Sequence, residues 1–240
     1  MKVERAIILA AGRGDRLRPI TDEIPKPMIT VNGQRIIDTI LDALYLNGIR
    51  EIYIITGYLK EKYQVLKEKY PDVVLLENEY TGCNNISSVF IAREHLKNTF
   101  IIAGDHIIRN PKVLDTEFTE SGYNSIYTPD PTKEWIFDTE DNEHIFHCNR
   151  YGSDEGGWQL FGISRWSADD AAKLSRFIEE AFSAEENRSK YWDEIALIDH
   201  KDDFTLRIYP MDQSDIFEID TLEDILNVDE SWREKVAKMK

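Results

Sequence analysis

One run near the N-terminus restricts what this chain can fold into more than any other segment. It reads Ala-Ile-Ile-Leu-Ala-Ala-Gly-Arg-Gly-Asp-Arg-Leu-Arg-Pro-Ile-Thr from Ala6 to Thr21, and Pro25-Lys26-Pro27 follows. An apolar strand that ends in a loop with Gly12 and Gly14 lets the backbone approach a ligand closely, and its N–H groups can point at phosphate oxygens. The run therefore predicts a phosphate-binding loop at the end of a buried strand.

Basic residues are concentrated in the same run. The chain carries a formal net charge of −16, which argues against nucleic acid or an anionic membrane as a partner because both would repel it. A small anionic substrate would need a local group of cations, and the run supplies one in Arg13, Arg16, Arg18 and Lys26. Two other phosphate loops are excluded, because the Gly-Lys-Ser/Thr ending of Walker A is absent and Leu17 stands where the dinucleotide fingerprint needs glycine.

Short apolar segments alternate with stretches of helical periodicity over the first hundred residues. After the first strand they lie at Glu51–Thr56, Val73–Leu76 and Phe100–Ala103. Strand–helix alternation with nearly continuous apolar strands predicts a parallel sheet covered by helices on both faces. Beyond Asp105 the pattern changes to strands joined by polar turns, which indicates a mixed or antiparallel extension. We therefore expect an α/β fold, a Rossmann-like three-layer sandwich with a mostly parallel mixed sheet.

The chain is expected to form a single domain over residues 1–240, because no linker, repeat or low-complexity segment interrupts it. Residues 1–110 would form a nucleotide-binding half and residues 111–240 a substrate-binding half. Two cysteines are too few to cross-link a fold of this size, and no segment approaches the roughly 20 apolar residues that span a bilayer. These features favour a cytoplasmic protein without a membrane partner.

Two helix starts are expected from residues that commonly cap helices. Ser87 or Ser88 is a plausible N-cap for a helix at Val89–Leu96. Thr221-Leu-Glu-Asp resembles a capping box, in which the first and last side chains bond each other's backbone N–H. It predicts that the last part of the chain begins a helix at this point.

Carboxylates are expected where strands end, because ligands of such sheets bind beyond the carboxyl ends of the strands. Asp105 comes shortly after the strand Phe100–Ala103, and Asp220 follows the short apolar run Ile216–Ile219. Mg²⁺ in phosphoryl-transfer sites is held by one or two carboxylates together with substrate phosphates. Asp105 is therefore a predicted ligand of Mg²⁺, the expected cofactor. Asp220 is a second candidate, although an aspartate before Thr221 also suits a helix start.

The loop and the lysine segment together resemble the signature L-A-A-G-x-G-x-R-L-x-P-x-T, then P-K-P, of nucleotidyltransferases that activate sugar phosphates and small alcohol phosphates. This resemblance implies the nucleotide-diphospho-sugar transferase fold and a nucleotide-binding role for the loop. The residues expected to bind nucleotide in it are Leu9, Ala10, Ala11, Gly12, Gly14, Arg16 and Lys26. The chain departs from the pattern at Asp15, where Ser or Thr is usual, so a hydroxyl contact to phosphate is lost.

The same resemblance implies which residues catalyse the reaction. In relatives the loop arginine holds the β and γ phosphates and the lysine contacts the phosphates of both nucleotide and substrate, which are the roles expected of Arg16 and Lys26. Relatives place one metal aspartate after the fourth strand and another in a late E-x-D-[ST] segment, which matches Asp105 and Asp220. These four residues form the expected catalytic set.

Segments further along are similar to those of bacterial CTP:phosphocholine cytidylyltransferases, and the similarity runs almost end to end. Tyr80–Ser88 resembles their N-N-x-x-S segment. Shorter matches are Lys133-Glu-Trp135, Gly162-Ile-Ser-Arg-Trp166, Tyr191-Trp-Asp193 and Glu218-Ile-Asp220. The resemblance implies CTP as the nucleotide, with Asn84, Asn85 and Ser88 near the base and ribose. It also implies direct attack of a substrate phosphate on the α-phosphorus of CTP.

Residues outside the phosphate-binding loop predict a binding site for a small cationic substrate. A trimethylammonium group forms poor hydrogen bonds, but aromatic faces and carboxylates attract it. Groups of this kind are supplied by Trp135, Tyr191, Trp192, Asp193 and Glu218. As a set they favour a small cationic substrate over a hexose phosphate, but they do not separate phosphocholine, the substrate that the resemblance implies, from phosphoethanolamine or aminoethylphosphonate. A hexose-1-phosphate nucleotidyltransferase and a non-catalytic nucleotide-binding subunit remain as alternatives, and the sequence is compatible with either a monomer or a homodimer.

Overall fold

The computed structural model describes residues 1–239, and its longer strands coincide with the apolar segments of the sequence. The strands are β1 (Arg5–Ala10), β2 (Thr30–Val31), β3 (Gln34–Arg35), β4 (Glu51–Thr56), β5 (Val73–Glu77), β6 (Thr99–Ala103), β7 (His106–Ile108), β8 (Gly122–Thr128), β9 (Ile136–Thr139), β10 (His144–Asn149), β11 (Gly157–Trp166), β12 (Leu206–Pro210) and β13 (Ile216–Glu218). The α-helices are α1 (Ile36–Leu46), α2 (Leu66–Lys69), α3 (Ile86–Ala92), α4 (Ala168–Ser183), α5 (Leu222–Val228) and α6 (Trp232–Met239). Within the described residues, no helix combines the length and the apolar character that crossing a membrane requires.

Within residues 1–239, nine strands form the main sheet in the order β5-β4-β1-β6-β11-β8-β12-β10-β9. The first four are parallel, with β1 between β4 and β6. Strand β11 runs antiparallel to β6, and the strands beyond it form a mixed extension. The parallel part and the change of pattern after Asp105 are both as expected. The division into two functional halves stays a prediction.

Helices cover both faces of this sheet. The two central residues of β1 point to opposite sides: Ile8 belongs to the apolar cluster that contains Ile40 of α1, and Ile7 belongs to the cluster that contains Val89 of α3 and Ile178 of α4. All five side chains are fully buried. Apolar side chains on both faces require cover on both sides, and the result is the expected three-layer sandwich.

A third apolar cluster joins the segment after the loop to the C-terminal helices. Leu17 and Ile20 are fully buried and belong to one cluster with Ile225 of α5 and Trp232 of α6. The indole N–H of Trp232 also donates to the carbonyl of Thr30 at 2.8 Å. The last two helices therefore support the segment that follows the phosphate-binding loop.

A small antiparallel strand pair brings two distant parts of the chain together. In the pairing of β7 with β13, His106 lies opposite Glu218. The N–H of Ile219 donates to the carbonyl of Asp105 at 3.1 Å. As a consequence Asp105 and Asp220 meet at the edge where β1, β4 and β6 end.

One predicted helix start is confirmed and the other is wrong. Thr221 begins α5 through a capping box with Asp224. Helix α3, in contrast, begins at Ile86, so that Ser87 and Ser88 lie in its first turn instead of capping it. Both serine hydroxyls instead accept hydrogen bonds from the side-chain amide of Asn78, at 2.9 and 3.1 Å. The hydroxyls that were expected to cap α3 therefore bind the side chain of Asn78, which follows β5.

Candidate active site

The carboxyl ends of the parallel strands open onto a cleft of about 1330 Å³. The predicted site residues that line it are Leu9, Ala11, Gly12, Gly14, Arg16, Lys26, Asn84, Asn85, Ser88, Asp105, Trp135, Tyr191, Trp192, Asp193, Glu218 and Asp220. Ala10 is not in the lining, because it is buried and its side chain packs in the core. The structure thus brings the predicted residues together, while their individual roles stay predictions.

The phosphate-binding loop turns at Gly14. Its φ of 65° is in the left-handed region, and a Cβ added there would lie 3.1 Å from the Cβ of Lys26. The carbonyl of Gly14 accepts hydrogen bonds from the N–H of Leu17 and the hydroxyl of Thr21, both at 2.9 Å. Glycine is the residue that adopts this conformation without strain, so the turn depends on it.

Lys26 lies at the centre of the site. Its Nζ donates to Asp105 Oδ2 and to Asp220 Oδ1, both at 2.8 Å. Arg16 reaches the same Asp220 oxygen at 3.1 Å. Burial favours a neutral amine, but the two carboxylates outweigh it and raise the pKa of Lys26. Two cations and two carboxylates therefore converge beside the loop.

Asp15 lies close to the other two loop arginines, Arg13 and Arg18, and forms ion pairs with them. It lies 3.6 Å from Arg13 and 3.0 Å from Arg18, and Arg18 is also paired with Asp22 at 3.1 Å. These pairs are exposed, so each contributes little to stability. They leave Arg16 as the loop arginine that points toward the aspartates, and the phosphate role expected of it stays a prediction.

A buried histidine and a glutamate lie behind the metal-ligand candidates. His106 Nδ1 is 3.1 Å from Asp105 Oδ1, and the imidazole is 1% exposed. Burial lowers the pKa of His106, but the contact with the Asp105 carboxylate and the charge of Glu218 raise it to about 9. Burial raises the pKa of Glu218 to about 7. Asp105 is partly buried, which favours its neutral form, but Lys26 and His106 hold its pKa well below the usual range.

The arrangement of Asp105 and Asp220 fits a magnesium ion. Both offer carboxylate oxygens, the ligands that Mg²⁺ prefers, and few protein ligands are needed when substrate phosphates and water complete the shell. Lys26 Nζ contacts one oxygen of each aspartate, so the two carboxylates converge on one point. Asp105, Lys26 and Asp220 all line the cleft.

The asparagine segment is held mainly by its own contacts. Asn85 Oδ1 accepts from the N–H of Trp192 at 2.9 Å. Asn84 Oδ1 accepts from the N–H of Asn85 at 2.8 Å, and its amide donates to the carbonyl of Ser189 at 3.2 Å. Ser88 accepts from Asn78. These bonds join the segment to residues 189–192 and shape the cleft wall, so the base contacts predicted for Asn84, Asn85 and Ser88 would have to use their remaining donors or the backbone.

Two aromatic rings form another part of the wall. The rings of Trp135 and Tyr191 meet edge to face with their centroids 5.7 Å apart. The guanidinium of Arg150 lies 5.3 Å from the centroid of the Trp135 ring, and a 2.6 Å ion pair with the buried Glu194 holds it there. Tyr191 is 44% exposed, which leaves much of its surface open to a ligand.

Trp192 and Asp193 differ from their neighbour Tyr191. Trp192 is 4% exposed, and its ring packs against Tyr123 and Trp166 at 6.1 and 6.0 Å. Its indole is therefore part of the core, and its position does not favour the predicted role as a wall of a substrate cage. Asp193 does face the cleft, and burial raises its pKa to about 7.

Sequence reasoning missed two groups of the site. His106 directly follows Asp105, and its place on β7 became visible only with the β7–β13 pairing. The Arg150–Glu194 pair behind Trp135 joins residues 44 positions apart, which no local pattern reveals. His106 could have been suspected from the sequence, because it is a polar residue next to a predicted metal ligand. No comparable sequence signal indicated the Arg150–Glu194 pair.

Comparison with known proteins defines the class. The family model for nucleotidyl transferases matches residues 5–128, just over half of the chain. The structure places the loop, Lys26 and the two aspartates in one cleft. The chain belongs to the nucleotidyl transferase family, and it is an enzyme rather than a non-catalytic subunit.

Relatives that match nearly the whole chain are cytidylyltransferases. A 2-aminoethylphosphonate cytidylyltransferase from Lancefieldella rimae is 36% identical over 95% of this chain and 92% of that protein. A choline-phosphate cytidylyltransferase from Streptococcus pneumoniae is 34% identical over 94% of this chain and 97% of that protein. The solved structure of a CTP:phosphocholine cytidylyltransferase from Streptococcus pneumoniae covers 100% of both chains, with a TM-score of 0.86 and 33% identity. These similarities confirm the expected fold, the resemblance to bacterial cytidylyltransferases, and cytidylyl transfer as the class of reaction.

Proposed function

We propose that this enzyme transfers CMP from CTP to phosphocholine, giving CDP-choline and pyrophosphate, with Mg²⁺ as cofactor. The observation that carries the proposal is an aromatic pair in the same cleft as the loop cations. The rings of Trp135 and Tyr191 lie 5.7 Å apart, edge to face, and Asp193 and Glu218 line the cleft with them. Aromatic faces together with carboxylates attract a quaternary ammonium group.

The reaction needs no covalent enzyme intermediate. The acceptor's phosphate oxygen is already an anionic nucleophile, so it can form a bond to the α-phosphorus of CTP while the bond to the β-phosphate oxygen breaks in line with it. Arg16 would hold the departing pyrophosphate, and Lys26 would offset charge on the phosphate being transferred. Asp105 and Asp220 would hold Mg²⁺, which supplies neutralisation of the phosphate oxygens.

The environment of Trp135 supports a cationic acceptor over a sugar phosphate. Arg150 lies 5.3 Å from the centroid of this ring, and its 2.6 Å ion pair with Glu194 neutralises its charge. Arg150 is therefore not an unpaired positive neighbour of Trp135 that would repel a cationic head group. Asp193, in the lining of the same cleft, offers a carboxylate to it. A hexose has no charge for these groups to attract, whereas the head group of phosphocholine does.

A primary amine is the second candidate head group, because one relative, at 36% identity, is a 2-aminoethylphosphonate cytidylyltransferase. An ammonium group donates three hydrogen bonds, and Asp193 and Glu218 offer acceptors in the cleft. A phosphonate oxygen can attack the α-phosphorus in the same way as a phosphate oxygen. This alternative keeps the mechanism and changes only the acceptor.

The proposal predicts that Trp135→Ala weakens acceptor binding. Loss of one cation–π contact of about 0.5–2 kcal/mol should raise KM for phosphocholine roughly twofold to thirtyfold, with KM for CTP unchanged. Steady-state pyrophosphate release with varied phosphocholine measures both constants. Trp158→Ala is the matched control, because Trp158 packs on Tyr127 at 5.4 Å, away from the cleft lining. An unchanged phosphocholine KM in Trp135→Ala would remove the aromatic pair from the acceptor site.

A further inference from the structure

We infer that His106 is a positioning residue that fixes one oxygen of Asp105 and so directs the other toward the metal. The inference rests on the proposed function insofar as that function assigns Asp105 to Mg²⁺. It extends the site by one residue that lies behind the cleft wall and acts through the aspartate. It also gives a reason for a polar side chain at a fully buried position.

The two oxygens of Asp105 have different partners. Oδ1 lies 3.1 Å from His106 Nδ1, and the same ring nitrogen is 3.3 Å from the carbonyl of Ala103. Oδ2 accepts from Lys26 Nζ at 2.8 Å. One partner is a buried ring and the other is the end of a flexible side chain. When nucleotide phosphates attract the lysine, Oδ2 becomes available to a cation while Oδ1 stays in place.

The imidazole itself has little room to rotate. His106 begins β7, and its pairing opposite Glu218 on β13 fixes the backbone. The ring of Phe161 lies 6.0 Å from the imidazole, centroid to centroid. A Cβ added at Gly162 would lie 3.0 Å from its Cε1, so the imidazole fits against bare backbone. This packing keeps Nδ1 on the side of Asp105.

The contact with the imidazole offsets part of a costly arrangement. Asp105 Oδ1 is shielded from solvent and makes no hydrogen bond within residues 1–239, and the ring nitrogen of His106 lies 3.1 Å from it. A buried carboxylate oxygen without a hydrogen bond carries a desolvation cost, which a polar ring at this distance reduces. A purely apolar residue at position 106 would fill the same space and remove that contact. The polar choice therefore points to orientation of the carboxylate.

Two substitutions separate orientation from filling of the core. His106→Phe keeps a flat ring without a donor, and His106→Asn places an amide N–H near the position of Nδ1. Partners of metal ligands are commonly worth about tenfold to hundredfold in metal affinity. We expect His106→Phe to lower the affinity for Mn²⁺ and kcat to that extent with KM for CTP little changed, and His106→Asn to restore most of both. Mn²⁺ affinity is measured with CTP and without acceptor, from the electron paramagnetic resonance signal of the free ion, and is compared with that of CTP alone.

A double-mutant cycle shows whether the effect passes through Asp105. In an Asp105→Asn background, His106→Phe should cause no further loss of Mn²⁺ affinity. Wild-type affinity and kcat in His106→Phe, an equal loss in His106→Asn, or an undiminished loss in the Asp105→Asn background would each overturn the inference. If His106→Phe melts below the assay temperature, His106→Ala replaces it in the same cycle. Failure of every acceptor to support turnover would contradict the proposed function and leave the Mn²⁺ result intact.

Discussion

Lys26 shows how a single side chain can serve the site with and without a ligand. Its amine contacts Asp105 and Asp220 at 2.8 Å each, and these carboxylates raise its pKa despite burial. The charged lysine offsets two acids that would otherwise repel each other at close range. In the proposed mechanism, phosphate groups of a nucleotide would compete for the same amine, so that ligand binding and release of the aspartates to a metal would be linked through one residue.

Asp193 gives a pH dependence at the residue scale. Burial raises its pKa to about 7, so the carboxyl is neutral below that pH and negative above it. Because only the negative form attracts a cationic head group, kcat/KM for phosphocholine should rise about tenfold between pH 6 and pH 8. Initial rates at low acceptor concentration across this range measure it.

The matched control for this pH dependence is Asp193→Asn, which cannot ionise. The second ionisation of a phosphate, near pH 6, also changes the acceptor over this range, and it affects wild type and variant alike. The difference between the two profiles therefore isolates the carboxyl group. Superimposable profiles would contradict the role of Asp193 in binding the head group.

At the scale of elements, the start of α5 also orients a metal-ligand candidate. Asp224 Oδ2 accepts from the N–H groups of Thr221 and Asp220, at 2.6 and 2.9 Å. The Thr221 hydroxyl in turn accepts from the N–H of Asp224 at 3.3 Å. The capping box therefore fixes the backbone from which the side chain of Asp220 reaches Lys26 and Arg16.

Thr221→Ala should consequently affect both stability and metal use. Loss of the N-cap is expected to lower the free energy of unfolding by ~1 kcal/mol and to raise the Mg²⁺ concentration needed for half-maximal activity. Ser167→Ala is the control, because Ser167 caps α4 through the N–H of Asp170 at 3.1 Å and lies outside the cleft lining. Urea unfolding and Mg²⁺ titrations compare the two. Equal Mg²⁺ requirements in both variants would separate the capping box from the site.

The elements that the sequence predicted well depend on local patterns. The parallel strands follow from apolar runs, and the Thr221 capping box follows from spacing within one turn. The start of α3 was misjudged because Asn78, eight residues before Ile86, uses the serine hydroxyls. Likewise the pairing of β7 with β13 joins segments more than a hundred residues apart, which a single sequence does not reveal.

The candidate site was predictable to different degrees for different residues. Glycines and cations of the loop are specific as a set, and the structure places them beside Asp105 and Asp220 in one cleft. Tyr191 and Trp192 are adjacent aromatics with opposite positions, one exposed and one in the core. Their chemistry is too similar for the sequence to distinguish them. It is the packing of the Trp192 ring against Tyr123 and Trp166 that places it in the core.

For the whole molecule, charge and cleft together define what can bind. A net charge of −16 repels anions at long range, so a nucleotide must be held by local contacts. Arg16 and Lys26 are the cations proposed for these contacts, and they line the same cleft as Trp135 and Tyr191. Such a cleft suits an acceptor that carries both a phosphate and a positive charge.

A competition experiment identifies the preferred acceptor of this cleft. The enzyme is given CTP and Mg²⁺ with equal concentrations of phosphocholine, phosphoethanolamine, 2-aminoethylphosphonate and glucose 1-phosphate. Mass spectrometry then identifies which of the four acceptors has received CMP. The account predicts that CDP-choline dominates, with one pyrophosphate released for each product formed. A dominant product from a primary amine would contradict phosphocholine as the acceptor but retain the cationic pocket. A dominant CDP-glucose, or no product from any acceptor, would contradict the account as a whole.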